Sequence, residues 1–410
     1  MNVELQINNN TNPNARFLGW APSPCRLRIT NPSGAVGPST TLQITGTTQP
    51  GGGHVVFRTA TRGAFADSIS VAVPTNGATV PFFAAGKIGQ PSSNNGDVAI
   101  NVRSGTTLIS SVPVMVRIRK NANKLSTAER DRFVAAFAKL NDQGQGRFKD
   151  FRDMHVQVSL SQAHGNPGFL PWHRAYLLDL ERDLQAIDQS VALPYWRFDQ
   201  PAPSLFTADF LGQADPNGTV QFGATNPLQF WRTDGQLGVT RGPRFPMSQA
   251  PPGLFNQSQT LALGGSSHAF EFFRDMEDNP HGWAHTSFTG SIRTPATAPK
   301  DPLFFLLHCN VDRLWAQWQR KYGRFDPTTA ASFDTNPASP PGHRLPDTMW
   351  PWNGVTGGTR PPTAPGGPMS TSPCLTAPGP QPRVEDMLDY QGRISAGSAL
   401  GYDYDDTAFA

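Results

Sequence analysis

The chain has 410 residues, only 16% of them charged, and a formal net charge of +3 at neutral pH. A balance this small, with no stretch where Lys and Arg cluster, excludes a nucleic-acid surface held by charge. No run approaches the roughly 18 apolar residues that a membrane span needs, and the length predicts two domains rather than one core. The three cysteines, Cys25, Cys309 and Cys374, are odd in number and far apart, which argues against a disulfide framework. The opening MNVELQINNN lacks a basic segment followed by an apolar run, so a cytoplasmic protein is expected, with export beside a partner protein as the alternative.

From the start to residue 118 the sequence reads as short strands: VELQI, RLRIT, TTLQITG, HVVFRT, SISVAV, VAINV and PVMVRIR. They are rich in Val, Ile and Thr and separated by Gly, Pro, Asn and Ser, the pattern of a β-sandwich, here expected to be immunoglobulin-like. Its only histidine, His54, is expected at the surface or in a turn. At Ser126 the period changes. Ser126-Thr-Ala-Glu129 is a capping box, followed by Phe133, Val134, Phe137 and Leu140 at helical spacing. Further helices are predicted from Trp172 through Leu184 and from Pro302 to Gln319. Residues 334–382 are dominated by Pro, Gly, Ser and Thr and read as loop. The fold class expected is α+β and multidomain: a β-sandwich over 1–118 and a mainly helical domain over 119–410, on which the chain's end packs back.

The chemistry lies in the histidines. Six of the nine form two groups, His155, His164 and His173, then His281, His285 and His308. His281 and His285 are four apart in HGWAH, so on a helix both rings leave one face. His308 falls within an apolar helix, where a polar ring needs a partner. HGWAH lacks the glutamate of a metalloprotease HExxH motif. No CxxC pair or Asp/Glu cluster accompanies the histidines, which disfavours structural zinc, calcium and magnesium. All-imidazole coordination suits copper, and two ions could together pass two electrons to dioxygen.

The segments HGNPGFLPWHRAYLLDLE, NPHGWAH and DPLFFLLHCNVDRLWAQW resemble the copper A and copper B segments of the type 3 copper proteins, the tyrosinases, catechol oxidases and haemocyanins. The resemblance extends to LSTAERDRFVAAFAKL, to LPYWRFD and to GYDYD, the last similar to the paired-tyrosine motif that closes the family's catalytic domain. It implies a tyrosinase-like di-copper domain, with His155, His164 and His173 on one copper and His281, His285 and His308 on the other. It also implies that Glu277 holds a water near the second copper; from the residues alone, Glu277 reads equally as exposed helix surface. Asp312, one turn after His308, is read as accepting a ligand ring's second N–H, or else as pairing with Arg313 or another neighbour. Arg174, Arg313 and Trp315 are read as locking their helices, and His268 as structural.

The sequence departs from the family's pattern in three places. Gln162 and Ala163 precede His164 where some members place a cysteine, Leu307 stands where many have a histidine, and Gly282 follows His281 where efficient phenol hydroxylases carry asparagine. The resemblance, with Gly282, implies an oxidase of o-diphenols, possible also for o-aminophenols, giving o-quinones as O2 is reduced to water. The alternatives are a full tyrosinase that also hydroxylates monophenols and a haemocyanin-like oxygen carrier. The expected partners are a small phenolic substrate and O2, with no nucleic acid and no membrane.

Overall fold

The run SISVAV alternates, and a computed structural model of the chain turns Val71 and Val73 inward while Ser68, Ser70 and Ala72 face out. The structure describes residues 1–34 and 37–409. The same alternation builds nine strands: β1 (Asn2–Ile7), β2 (Phe17–Leu18), β3 (Ser23–Asn31), β4 (Ser39–Thr48), β5 (Val55–Arg58), β6 (Ser68–Pro74), β7 (Val80–Gly86), β8 (Val98–Ser104) and β9 (Thr107–Val116). One sheet has the order β1-β3-β7-β5 and the other β2-β9-β8-β4-β6. All pairings are antiparallel except β2 with β9. Both sheets contribute to one core that includes Trp20, Leu27, Ile44, Val73, Phe82, Ile100 and Val114. Two strands were not expected. VPFFAAG in β7 has no apolar–polar alternation and carries Pro, Ala and Gly, and β2 is too short to show a period.

This first unit spans Met1–Arg119 and recruits two distant pieces, Ser372–Thr376 and the segment from Gly401. The recruitment corrects the expectation that the chain's end belongs with the helical domain. Asp403 Oδ2 accepts from the amides of Trp20 at 2.7 Å and Ala21 at 3.2 Å, and the Tyr404 carbonyl accepts from Trp20 Nε1 at 2.8 Å. A Cβ at Gly19 would collide with that carboxylate, so glycine there serves close approach. The Arg119 guanidinium lies 3.6 Å from the centre of the Tyr402 ring. The tyrosine pair therefore closes the β unit. Its partners lie some 384 positions upstream, beyond any local pattern.

The second unit spans Lys120–Thr371 and Ala377–Leu400. It contains α1 (Thr127–Asn141), α2 (Phe148–Met154), α3 (Leu160–Ala163), α4 (Phe169–Ile187), α5 (Gln257–Leu261), α6 (Phe270–Phe273), α7 (Trp283–Thr286) and α8 (Leu303–Tyr322). The capping box forms at α1: Ser126 Oγ accepts from the Glu129 amide at 3.3 Å, and the Glu129 carboxylate accepts from the Ser126 amide at 2.9 Å. Helix α4 starts three residues before the expected Trp172, because Pro171 falls in its first turn, where no intrahelical N–H is required. Helix α8 runs to Tyr322 and ends at Gly323, which adopts φ 66°. Both long helices are buried on nearly every side, as befits helices at the centre of a domain. Residues 334–382 contain no helix or strand among the described residues. No described helix is long and apolar enough to cross a membrane.

Candidate metal centre

Each histidine is delivered by a short, well-defined piece of backbone. His155 caps the C-terminus of α2, His164 caps α3, and His173 lies in the second turn of α4. His281 sits in a single π-helical turn, Asp278–Gly282, that leads into α7 with His285, and His308 lies in α8. The pair in HGWAH thus shares one face, as expected, on a π turn joined to an α turn. In each triad the three ligand-capable atoms lie within 4.8 Å of one another. Five of the six side chains are buried, and His164 is 16% exposed.

Hydrogen bonds fix which nitrogen of each ring is free. A carbonyl oxygen only accepts, so the Nδ1 atoms of His173, His281 and His285 must donate to Phe169 O, Glu277 O and Ile292 O, at 2.9, 2.6 and 2.6 Å. His164 Nδ1 faces the Glu277 carboxylate at 3.0 Å, and the same oxygen accepts from the Gly165 amide at 2.8 Å. In the neutral rings of His173, His281 and His285 Nε2 is left with a lone pair. The Nε2 atoms of His173 and His281 are buried with no hydrogen-bond partner. Others face each other: His155 and His164 at 2.9 Å, His285 and His308 at 3.2 Å.

Burial holds His155, His173, His281 and His308 well below the ordinary imidazole range, and it pulls His285 down to about 4. Neighbouring imidazoles act in the same direction. Burial thus favours the neutral form of these five rings, the form a metal requires. A buried polar atom without a partner costs about 1–3 kcal/mol, and a cation at each triad would satisfy all the converging lone pairs at once. The donor set is all nitrogen, with no thiolate or carboxylate, which is the set suited to copper.

Comparison with known proteins agrees with this geometry. Residues 145–321, which contain both triads, match the common central domain of tyrosinase. The tyrosinase of Streptomyces antibioticus is 33% identical over 274 residues, covering 58% of this chain and 94% of that protein. The tyrosinase of Streptomyces glaucescens is 34% identical over 263 residues, covering 58% and 92%. Grixazone synthase of Streptomyces griseus subsp. griseus is 29% identical over 269 residues, covering 51% and 86%.

The chain belongs to the tyrosinase family. It is a type 3 copper protein of the polyphenol oxidase type, and its two buried triads fit the family's binuclear copper pair.

Two phenylalanines complete the tyrosinase-family centre, and neither was singled out from the sequence as a site residue. The Phe169 ring lies 4.8–5.3 Å from those of His164, His173 and His281, and Phe304 lies 4.2 Å from His308 and 4.9 Å from His155. Each touches both triads and fills space that water would otherwise occupy. Between them His173 and His308, one from each triad, stack at 4.1 Å with planes 9° apart. The available signal was position: Phe169 precedes His173 by four residues and Phe304 precedes His308 by four, one helical turn each.

The other predicted residues fall in different places. The Glu277 side chain contacts His164 of the first triad, while its main-chain carbonyl holds His281 of the second. Gly282 has right-handed helical backbone, and a Cβ there would lie 3.4 Å from Glu277 O and 3.8 Å from Asp278 Oδ1, so a side chain is sterically admissible. Asp312 does not orient His308, whose Nδ1 has no hydrogen-bond partner. It accepts instead from Arg174 Nε at 2.6 Å, the buried cation across the α4–α8 interface. Arg313 bonds Asn310 and Gln257 and lies over Tyr195. His268 is outside both triads, stacked 3.8 Å from Tyr322.

Proposed function

We propose that this protein oxidises o-diphenols, and by the same chemistry o-aminophenols, to o-quinone-type products, with His155, His164 and His173 holding one copper and His281, His285 and His308 the other. Two o-diphenols and one dioxygen give two o-quinones and two waters. The observation that carries this reading is the convergence of two complete imidazole triads, in which the Nε2 atoms of His173 and His281 have no hydrogen-bond partner and the others face only another imidazole. When bound, the copper pair supplies the redox change that dioxygen reduction needs. The chain's own residues hold the imidazoles in one tautomer, exclude water with Phe169 and Phe304, and leave one edge accessible. At that edge Glu277, which bonds His164, also lines a cavity of about 770 Å³ together with Phe255, Arg274, Asn279 and Trp283.

Gly282 favours o-diphenols over monophenols as substrates, since it offers no side chain to help Glu277 hold a water that could take a phenol's proton. An o-diphenol is more acidic and can chelate, and needs this help less. The N-terminal unit is proposed to be an immunoglobulin-like sandwich, on the strength of its two sheets sharing one core.

The test supplies copper, O2 and a catechol. Quinone formation with O2 consumed at half the catechol rate supports the oxidase. O2 taken up reversibly without quinone would make the protein a carrier. Gly282→Asn is expected to raise the ratio of monophenol to o-diphenol turnover while leaving the melting temperature close to wild type. An unchanged ratio would remove Gly282 from the account, and a wild type that already turns over both substrates well would favour a full tyrosinase.

A further inference from the structure

The segment that carries His164 is the least buried part of either triad, and the sequence around it supplies no covalent anchor. It leaves α3 at Ala163, passes His164 and Gly165, the latter at φ +69°, and re-enters helix at Phe169. A ligand on such a loop must be held in place from outside. We propose that His343 is the positioning residue that does so, one imidazole tying together both ends of this segment. The proposal rests on the reading of His164 as a copper ligand.

His343 comes from the Pro- and Gly-rich region in which no chemistry was expected. Its side chain is buried. Nδ1 accepts from the Gly168 amide at 3.1 Å, and Nε2 donates to the Ser161 carbonyl at 2.9 Å. Ser161 and Gly168 flank His164 on either side, three residues before it and four after. Only the neutral ring protonated on Nε2 satisfies both bonds. Burial lowers the His343 pKa, which favours that form.

Two glycines show how closely the parts are fitted. Gly168 has φ −67°, which any residue adopts, yet a Cβ there would collide with His343 Nδ1. Glycine is required at 168 for space rather than for backbone freedom. On the other side, a Cβ at Gly342, which has φ +93°, would meet Gln162 Oε1 at 2.8 Å. The turn that presents His343 is itself fastened: Asp347 Oδ2 accepts from the amides of Gly342 at 2.8 Å and Arg344 at 3.2 Å. His343 belongs to neither triad. It would act on the metal indirectly, by fixing the backbone three residues before and four residues after the ligand His164.

The experiment follows copper release from the loaded full chain into excess chelator, by copper per chain against time, with melting of each variant as a check on folding. His343→Leu removes both hydrogen bonds. It is expected to release one of its two coppers about 10- to 100-fold faster than wild type, the scale of losing an outer partner of a ligand, and to pass through a one-copper state. His343→Gln, whose amide can both accept and donate, should stay closer to wild type. Gly168→Ala, which pushes against the ring without removing it, should resemble His343→Leu and decides the matter if that variant fails to fold. Release at the wild-type rate, or loss of both coppers together, in His343→Leu and Gly168→Ala overturns the proposal. So does a Gln variant as leaky as Leu. A wild type that binds no copper overturns the ligand reading itself, an outcome visible before any variant is made.

Discussion

Asp312→Ala is expected to destabilise the helical unit by about 3–5 kcal/mol, the usual consequence of leaving one member of a buried ion pair without the other. The Arg174 and Asp312 side chains are 0% and 1% exposed. With Asp312 gone, the guanidinium keeps Gln319 Oε1 at 2.9 Å, the Met387 carbonyl at 2.6 Å and the Trp315 face at 3.7 Å. None of these carries a negative charge. Arg174 follows His173 directly and Asp312 lies one turn beyond His308, so the pair also fastens the two helices whose histidines stack between the triads. Denaturant unfolding measures the loss. A change below about 1 kcal/mol would place this pair among the weak ones typical of exposed surfaces. Replacing both residues by apolar side chains of similar volume should recover much of the loss, because no charge is then left buried and unpaired.

Removing copper is expected to lower the stability of the same unit by about 4 kcal/mol for each site whose free copper stood near 1,000 times its dissociation constant. Five imidazoles are buried in neutral form, and at least His173 and His281 keep an unpartnered nitrogen. The native chain carries that cost without compensation until a cation binds, whereas the unfolded chain solvates the same rings. Copper therefore binds the folded form preferentially. Copper that also binds the unfolded histidines makes the gain smaller. Thermal melting with and without chelator tests this, and His308→Ala should abolish the part that belongs to the second triad. Equal melting of loaded and stripped protein would mean that the triads do not grip the metal.

The sequence shows the ligands more clearly than the residues that support them. Six histidines stand out because polar rings are rare in apolar segments such as LFFLLHCNV, and the capping box at Ser126 announces a helix by local chemistry alone. What the chain conceals is the choice of distant partner. Asp312 has Arg313 beside it in sequence, and its bond to Arg174, 138 positions away, could not be read from that neighbourhood. His343 looks like one residue in an unstructured stretch, and its two partners appear only when the loop is folded against α3 and α4. The end of the chain carries a motif that the family resemblance ties to the catalytic domain, but its carboxylate and carbonyl find their donors at Trp20. Local patterns report period and capping; they do not report which of several compatible neighbours the fold brings within hydrogen-bonding reach.

Glu277 reaches one metal site with its carboxylate and the other with its peptide oxygen. A mutation that reshapes its side chain, made to retune which phenols are accepted, thus disturbs a ligand of one ion directly. Any shift it causes in the main chain is passed to the other. Selectivity and metal retention are yoked at this position, and an engineer seeking to alter the first is better served by Gly282, which bonds to neither triad through a side chain.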